Sequence, residues 1–145
     1  MGLSKLGHYS IRTEDLAGSK CFYTEILSLR EGYRPPFTFP GHWLYLGDDE
    51  SDYGVVHLIG VDPTGDGGLD AYLGARGASV GEGAGKFEHI AFLATGWPEI
   101  RSRCQARSVA FQERSVPSLN LHQVFIVDPS GVTIELNFPA GEGAL

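Results

Sequence analysis

The sequence predicts an α+β fold made of two tandem βαβββ modules, and three observations predict it. Strand-like and helix-like stretches follow one another in the same order twice along the 145 residues. Ionisable side chains recur at matching places: His8 and His89 stand 81 residues apart, and His57 and Glu135 stand 78 apart. A stretch holding nine glycines, from Gly60 to Gly85, separates the two repeats.

Each element has a local reason. Gly7 to Arg12 alternates in character with period two, the mark of a strand. Thr13 or Asp15 then caps a helix whose apolar face is Leu16, Phe22, Tyr23, Ile26 and Leu27. Three short extended stretches follow, Arg30 to Tyr33, His42 to Leu46 and Tyr53 to Ile59, separated by turn chemistry at Pro35-Pro36, Pro40-Gly41 and Gly47-Asp48-Asp49. The glycine-rich segment reads as a linker with at most a helical turn at Leu69 to Leu73. Beyond it come a strand from Phe87 to Leu93 and a helix from Trp97 to Ala106 with Pro98 in its first turn. Strands Ala110 to Val116, His122 to Val127 and Val132 to Phe138 close the chain, the last two joined by an Asp128-Pro129-Ser130-Gly131 turn. All 145 residues form one domain on this reading, with module one at 5–60, a linker at 61–86 and module two at 87–138.

Composition narrows the function classes. With 42% hydrophobic and 20% charged residues the chain is globular, and no apolar run approaches the roughly 20 residues that span a bilayer. A formal net charge of −7 offers no general attraction to phosphate backbones or anionic lipid. Nucleic acid and membrane are therefore not expected as partners. Cys21 and Cys104 are too few for a disulfide framework, and the first residues carry no signal peptide, so a cytoplasmic chain with reduced thiols is expected.

Strand alternation sorts the candidate site residues. Tyr9, Ile11, Val56, Leu58, Ile90, Phe92, Ile134 and Leu136 share the side that packs on a helix, while His8, His57, His89 and Glu135 lie on the other. Two such half-sheets, joined as one curved mixed sheet, would bring three histidines and one carboxylate around a cavity with a metal at its centre. Two histidines and a carboxylate form the facial set that leaves open positions on non-haem iron, and imidazole with carboxylate also suits zinc, nickel and manganese. A lone strand histidine is more often an ordinary core or surface residue; the matched placement of four groups argues for ligands.

His8 with Asp15-Leu16 and Phe22-Tyr23, His89-Ile90-Ala91-Phe92, and the run from Phe125 to Leu136 resemble the vicinal oxygen chelate superfamily. That superfamily includes glyoxalase I, methylmalonyl-CoA epimerase, fosfomycin-resistance enzymes, bleomycin-binding proteins and type I extradiol dioxygenases, all built of paired βαβββ modules. The resemblance implies His8, His89 and Glu135 as metal ligands. It puts His57 where glyoxalase I and the epimerases usually have Glu or Gln, so His57 is either a fourth ligand or, as in the extradiol enzymes, an acid–base group beside the metal. The extradiol tyrosine of the penultimate strand is replaced by Phe125.

On this resemblance the first expectation is an extradiol-type ring-cleavage dioxygenase acting on a catechol-like small molecule, with Fe(II) favoured and Ni, Zn, Co or Mn also admissible. The alternative is a glyoxalase- or epimerase-like lyase or isomerase with Ni, Zn or Co. A third reading is a metal-free bleomycin-resistance-type binding protein, which has no need of ligand side chains at all four positions. His57 and His122 are the catalytic candidates, although for His122 the plainer role of opening a strand is preferred. His42 reads as a loop residue near Trp43, and Arg34-Pro35-Pro36-Phe37 with Phe39 and Trp43 as an aromatic wall or packing. A homodimer is expected, with cavities formed within a chain or by module exchange.

Overall fold

In a computed structural model, residues 6–51, 54–60 and 89–143 are described. The chain divides into two compact units, residues 1–85 and 86–145. The expected linker, the helical turn at 69–73 and the ends of two expected strands at Tyr53 and Phe87 lie outside the described residues.

In the first unit, β1 (Tyr9–Thr13) leads to helix α1 (Leu16–Cys21), whose start is capped by the Asp15 carboxylate accepting from the Gly18 amide at 2.8 Å. The helix runs on as a widened turn, Phe22–Ile26, closed by an i→i+5 bond from the Leu27 amide to the Phe22 carbonyl. Strands β2 (Arg30–Glu31), β3 (Gly41–Tyr45) and β4 (Val56–Gly60) follow. The sheet order is β1-β4-β3-β2, with β1 parallel to β4 and the other pairs antiparallel. Phe22, Tyr23 and Ile26 are buried, as are Ile11, Leu44, Val56 and Leu58 on the strands. The Tyr9 hydroxyl donates to that of Tyr23 at 3.3 Å, so the helix covers the Tyr9 and Ile11 side of the sheet.

The second unit repeats this plan. Strand β5 (His89–Leu93) precedes helix α2 (Trp97–Ala106), then β6 (Phe111–Val116), β7 (Leu121–Val127), β8 (Thr133–Pro139) and a closing turn, Ala140–Gly143. Its sheet order is β5-β8-β7-β6, again with the first and last strands parallel. Gly96 takes the left-handed conformation (φ 81°) where α2 begins. No side chain of its own end caps this helix; instead the Glu142 carboxylate accepts from the Gly96 and Trp97 amides at 2.8 and 2.7 Å. Trp97 packs on Phe111 and Phe138, with ring centroids 5.2 and 5.5 Å away. At the β7–β8 hairpin, Asp128 Oδ1 accepts from the amides of Ser130 (2.9 Å) and Val132 (2.8 Å), and Gly131 sits at φ 86°.

The fold is α+β with two βαβββ modules, as the repeat predicts. Helix α2 has the expected bounds. Three local expectations change. Strand β2 ends at Glu31 rather than Tyr33, because the Tyr33 carbonyl turns aside to accept from the Tyr45 hydroxyl. His42 belongs to β3, as the extended stretch His42 to Leu46 has it and against its reading as a loop residue, because the strand opens at Gly41 opposite Ile59. Strand β1 opens at Tyr9, leaving His8 immediately ahead of it. Among the described residues no helix is long and apolar enough to cross a membrane.

Register tests the repeat most sharply. Ser10 pairs with His57 in the first sheet and Ala91 with Glu135 in the second, while Trp43 and Phe125 sit across from those same two residues. His57 and Glu135 are therefore equivalent positions in two copies of one plan.

Candidate functional site

On the first sheet, the side away from α1 carries a column of planar side chains. The His57 ring lies 4.0 Å from that of Trp43, at 5° between planes, and 3.8 Å from that of His8, at 17°. Two rings at such distances cannot share one face of an imidazole, so Trp43 and His8 cover opposite faces of His57. The column follows from sheet pairing: Trp43 is directly opposite His57 on β3, and His8 precedes the strand on its other side. His57 is 6% exposed, whereas His8 is open to solvent. The expected aromatic wall adjoins the column: Phe37 lies 6.1 Å from Trp43 and stacks on Phe39, and the Arg34 guanidinium sits over both phenyl rings.

The equivalent face of the second sheet is hydrogen-bonded instead. His89 Nε2 is 3.1 Å from Glu135 Oε2. Glu135 Oε1 accepts from Gln123 Nε2 at 3.0 Å and from Asn137 Nδ2 at 2.7 Å. Gln123 Nε2 also donates to Asn137 Oδ1 at 2.8 Å, and Gln123 Oε1 accepts from Arg114 Nε at 2.7 Å. An arginine can only donate, so it fixes the amide of Gln123 with its nitrogen toward Glu135. Gln123 and Asn137 are 6% and 9% exposed. Phe125, opposite Glu135, presents its ring edge-to-face to His89 at 6.4 Å.

The structure thus joins His8 to His57 within one unit and His89 to Glu135 within the other. His122 stands apart from the latter pair. It lies on the α2 side of β7, 4% exposed, with its ring 6.0 Å from Trp97 and Nε2 2.9 Å from Glu113 Oε2. That contact has ion-pair distance without hydrogen-bond geometry, and Nδ1 has no hydrogen-bond partner among the described residues. His42, also on the helix side of its sheet, pairs with Glu31, which bonds Lys20 as well. Gln123, Asn137 and Arg114 were missing from the candidates read in sequence. Their signal is alternation: Gln123, Glu135 and Asn137 interrupt the apolar residues Val124, Ile126, Ile134, Leu136 and Phe138 with period two.

A family model described as the glyoxalase/bleomycin resistance protein/dioxygenase superfamily matches residues 5–136. The chain belongs to that superfamily. No curated protein matches it. Solved structures share the fold at low identity. A glyoxylase/bleomycin resistance protein/dioxygenase domain from Frankia sp. EAN1pec is 19% identical, with TM-score 0.65 over 95% of this chain and 93% of that one. Lactoylglutathione lyase from Agrobacterium tumefaciens is 18% identical, with TM-score 0.61 over 99% of each. The fosfomycin resistance protein FosX from Listeria monocytogenes is 17% identical, with TM-score 0.64 over 99% and 100%.

Superfamily members typically use divalent metals, and the side chains can be tested for that role. Two ligands about 2.0–2.2 Å from one ion and at 90–110° to each other lie roughly 3–3.5 Å apart. The 3.1 Å between His89 Nε2 and Glu135 Oε2 matches that spacing. The two amides on Oε1 leave Oε2 as the available donor. His8 and His57 behave differently. Ring-nitrogen lone pairs lie in the ring plane, and planes inclined by only 17° do not meet near the rings, so the stacked pair does not share an ion. Among the described residues of either unit, no group of three His, Cys, Asp or Glu is already gathered in ligand geometry.

Proposed function

We propose that the protein is a metal-dependent enzyme acting on a small molecule with two neighbouring oxygens, with His8, His89 and Glu135 as ligands and His57 as an acid–base group beside them. The observation that supports this most is Glu135. Two buried amides fix one carboxylate oxygen, and the other is turned toward an imidazole at the spacing of a ligand pair. Such orientation by hydrogen bonds behind a ligand is how proteins tune metal sites. The bound ion would supply Lewis-acid polarisation of the substrate oxygens.

The remaining roles belong to this chain's residues. His57, clamped flat between Trp43 and His8, is held in one orientation, and imidazole exchanges protons near neutral pH. Its stacking favours two histidines and a carboxylate over four ligands. Fe(II) and extradiol-type cleavage of a catechol-like ring are the finer form of the proposal. Phe125 favours a second reading, a glyoxalase- or epimerase-like isomerase with Ni, Zn or Co, because the ring opposite Glu135 has no hydroxyl to give or take a proton.

Elemental analysis of protein purified without chelator is the test. A transition metal that is lost in His89→Ala and in Glu135→Ala is expected; no metal, or metal unchanged in both, overturns the proposal. Oxygen uptake with a catechol panel under Fe(II), set against hemithioacetal isomerisation under Ni or Zn, separates the two reactions.

A further inference from the structure

The polar chain on the second sheet ends at Arg114, and its geometry points to a substrate that carries an acid group. Arg114 donates through Nε to Gln123 Oε1, and its guanidinium lies over the Phe125 ring at 5.8 Å. Those contacts hold the planar group from one edge and one face. Its terminal Nη edge has no hydrogen-bond or ion-pair partner among the described residues, although the residue is exposed in an acidic protein. A guanidinium so fixed presents two parallel N–H donors, the fork that fits a carboxylate.

Arg114 lies on the same sheet face as Glu135, with β7 between their strands. At the usual strand spacing the two backbones are roughly 10 Å apart. That spacing suits a one-ring or similarly short molecule, with neighbouring oxygens at the Glu135 end and a carboxylate at the arginine end. The inference rests on the reading of Glu135 and His89 as the reactive end.

The test uses a matched pair of probes, 3,4-dihydroxybenzoate and catechol, which differ by one carboxylate. Calorimetric titration of the full chain, loaded with ferrous iron under nitrogen so that nothing turns over, should show the acid bound about tenfold or more tightly than catechol, the scale of one charge-assisted contact. Arg114→Gln should abolish that preference, read as the ratio of the two affinities within iron-loaded protein so that any change in iron content or catechol affinity cancels. Arg114→Lys, which keeps charge but not the fork, should retain only part of it. Equal affinities in the wild type, no binding of the acid, or a preference that survives in Arg114→Gln would overturn the inference. Failure of the metal reading is distinguishable. It appears as iron that does not bind, while a preference for the acid, carried by Arg114, would still be measurable in metal-free protein.

Discussion

The two modules share strand order, parallel closing pair and register, yet their equivalent faces hold different chemistry. In the first, His57 is one layer of an aromatic column with Trp43 and His8. In the second, Glu135 at the equivalent place is the acceptor of an amide network. The neighbouring positions decide which arrangement forms. Gly41 and Ile59 pair where Gln123 and Asn137 pair in the second sheet. Gly41 has no room for a side chain at all: a Cβ there would stand 2.4 Å from the Leu58 carbonyl oxygen. Repetition of a backbone plan thus fixes where a side chain points and leaves open what it meets. One copy holds its ring by stacking and the other holds its carboxylate by donors.

The contrast breaks first, and most visibly, at those two central residues. Glu135→Leu removes the acceptor shared by two buried amides and should lower the unfolding free energy by about 1–3 kcal/mol. His57→Phe keeps a planar ring in the column and should cost about 1 kcal/mol or less. Urea unfolding of both variants measures the difference, and equal losses would mean that network and stack are not distinct. Turnover sharpens the comparison, since His57→Phe should keep its metal and lose activity.

Next come the helix starts. Asp15 caps α1 from the adjacent residue, whereas Glu142 caps α2 from the far end of its module. Each alanine variant should cost about 0.5–2 kcal/mol. Amide hydrogen exchange should rise in α1 for Asp15→Ala and in α2 for Glu142→Ala; exchange rising in neither helix would remove the capping roles.

The smallest effect concerns acid. Burial alone would raise the Glu31 carboxyl, but hydrogen bonds from Lys20 and His42, with their charges, hold it below the ordinary carboxylate value. A carboxyl depressed in the folded state contributes stability above its unfolded pKa of about 4.3 and loses it as pH falls through the lower, folded value. Glu31→Gln should therefore show a slightly smaller drop in Tm between neutral pH and pH near 3 than the wild type.

Much of this was legible in the residues. Trp97 to Ala106 reads as a helix with Pro98 in its first turn, and it has those bounds, with Trp97, Ile100 and Cys104 buried. A cap from Thr13 or Asp15, which the structure assigns to Asp15, and the β7 and β8 strands follow from local chemistry. That His57 and Glu135 occupy equivalent strand positions, on the side away from the helices, was readable because alternation and their 78-residue spacing are properties of the chain alone. What alternation could not supply was orientation about the side-chain bonds. Whether His8, just ahead of β1, stacks on His57 or splays from it is a matter of rotamers, which strand alternation does not set. The widened turn at Phe22–Ile26 was equally hidden, since i→i+4 and i→i+5 closure place Phe22, Tyr23 and Ile26 on nearly the same side.

The hairpin turn at Asp128 has a consequence remote from its own position. Its carboxylate, binding the amides of Ser130 and Val132, sets the count of residues between β7 and β8. A strand has only two sides, so a slip of one residue there would exchange them. Glu135 would then turn toward Trp97 and the oily interior, while Ile134 or Leu136 faced His89. A single aspartate thus works as the molecule's indexing pin: from the hairpin it determines that Glu135 and its two amides meet on the side of the sheet away from α2.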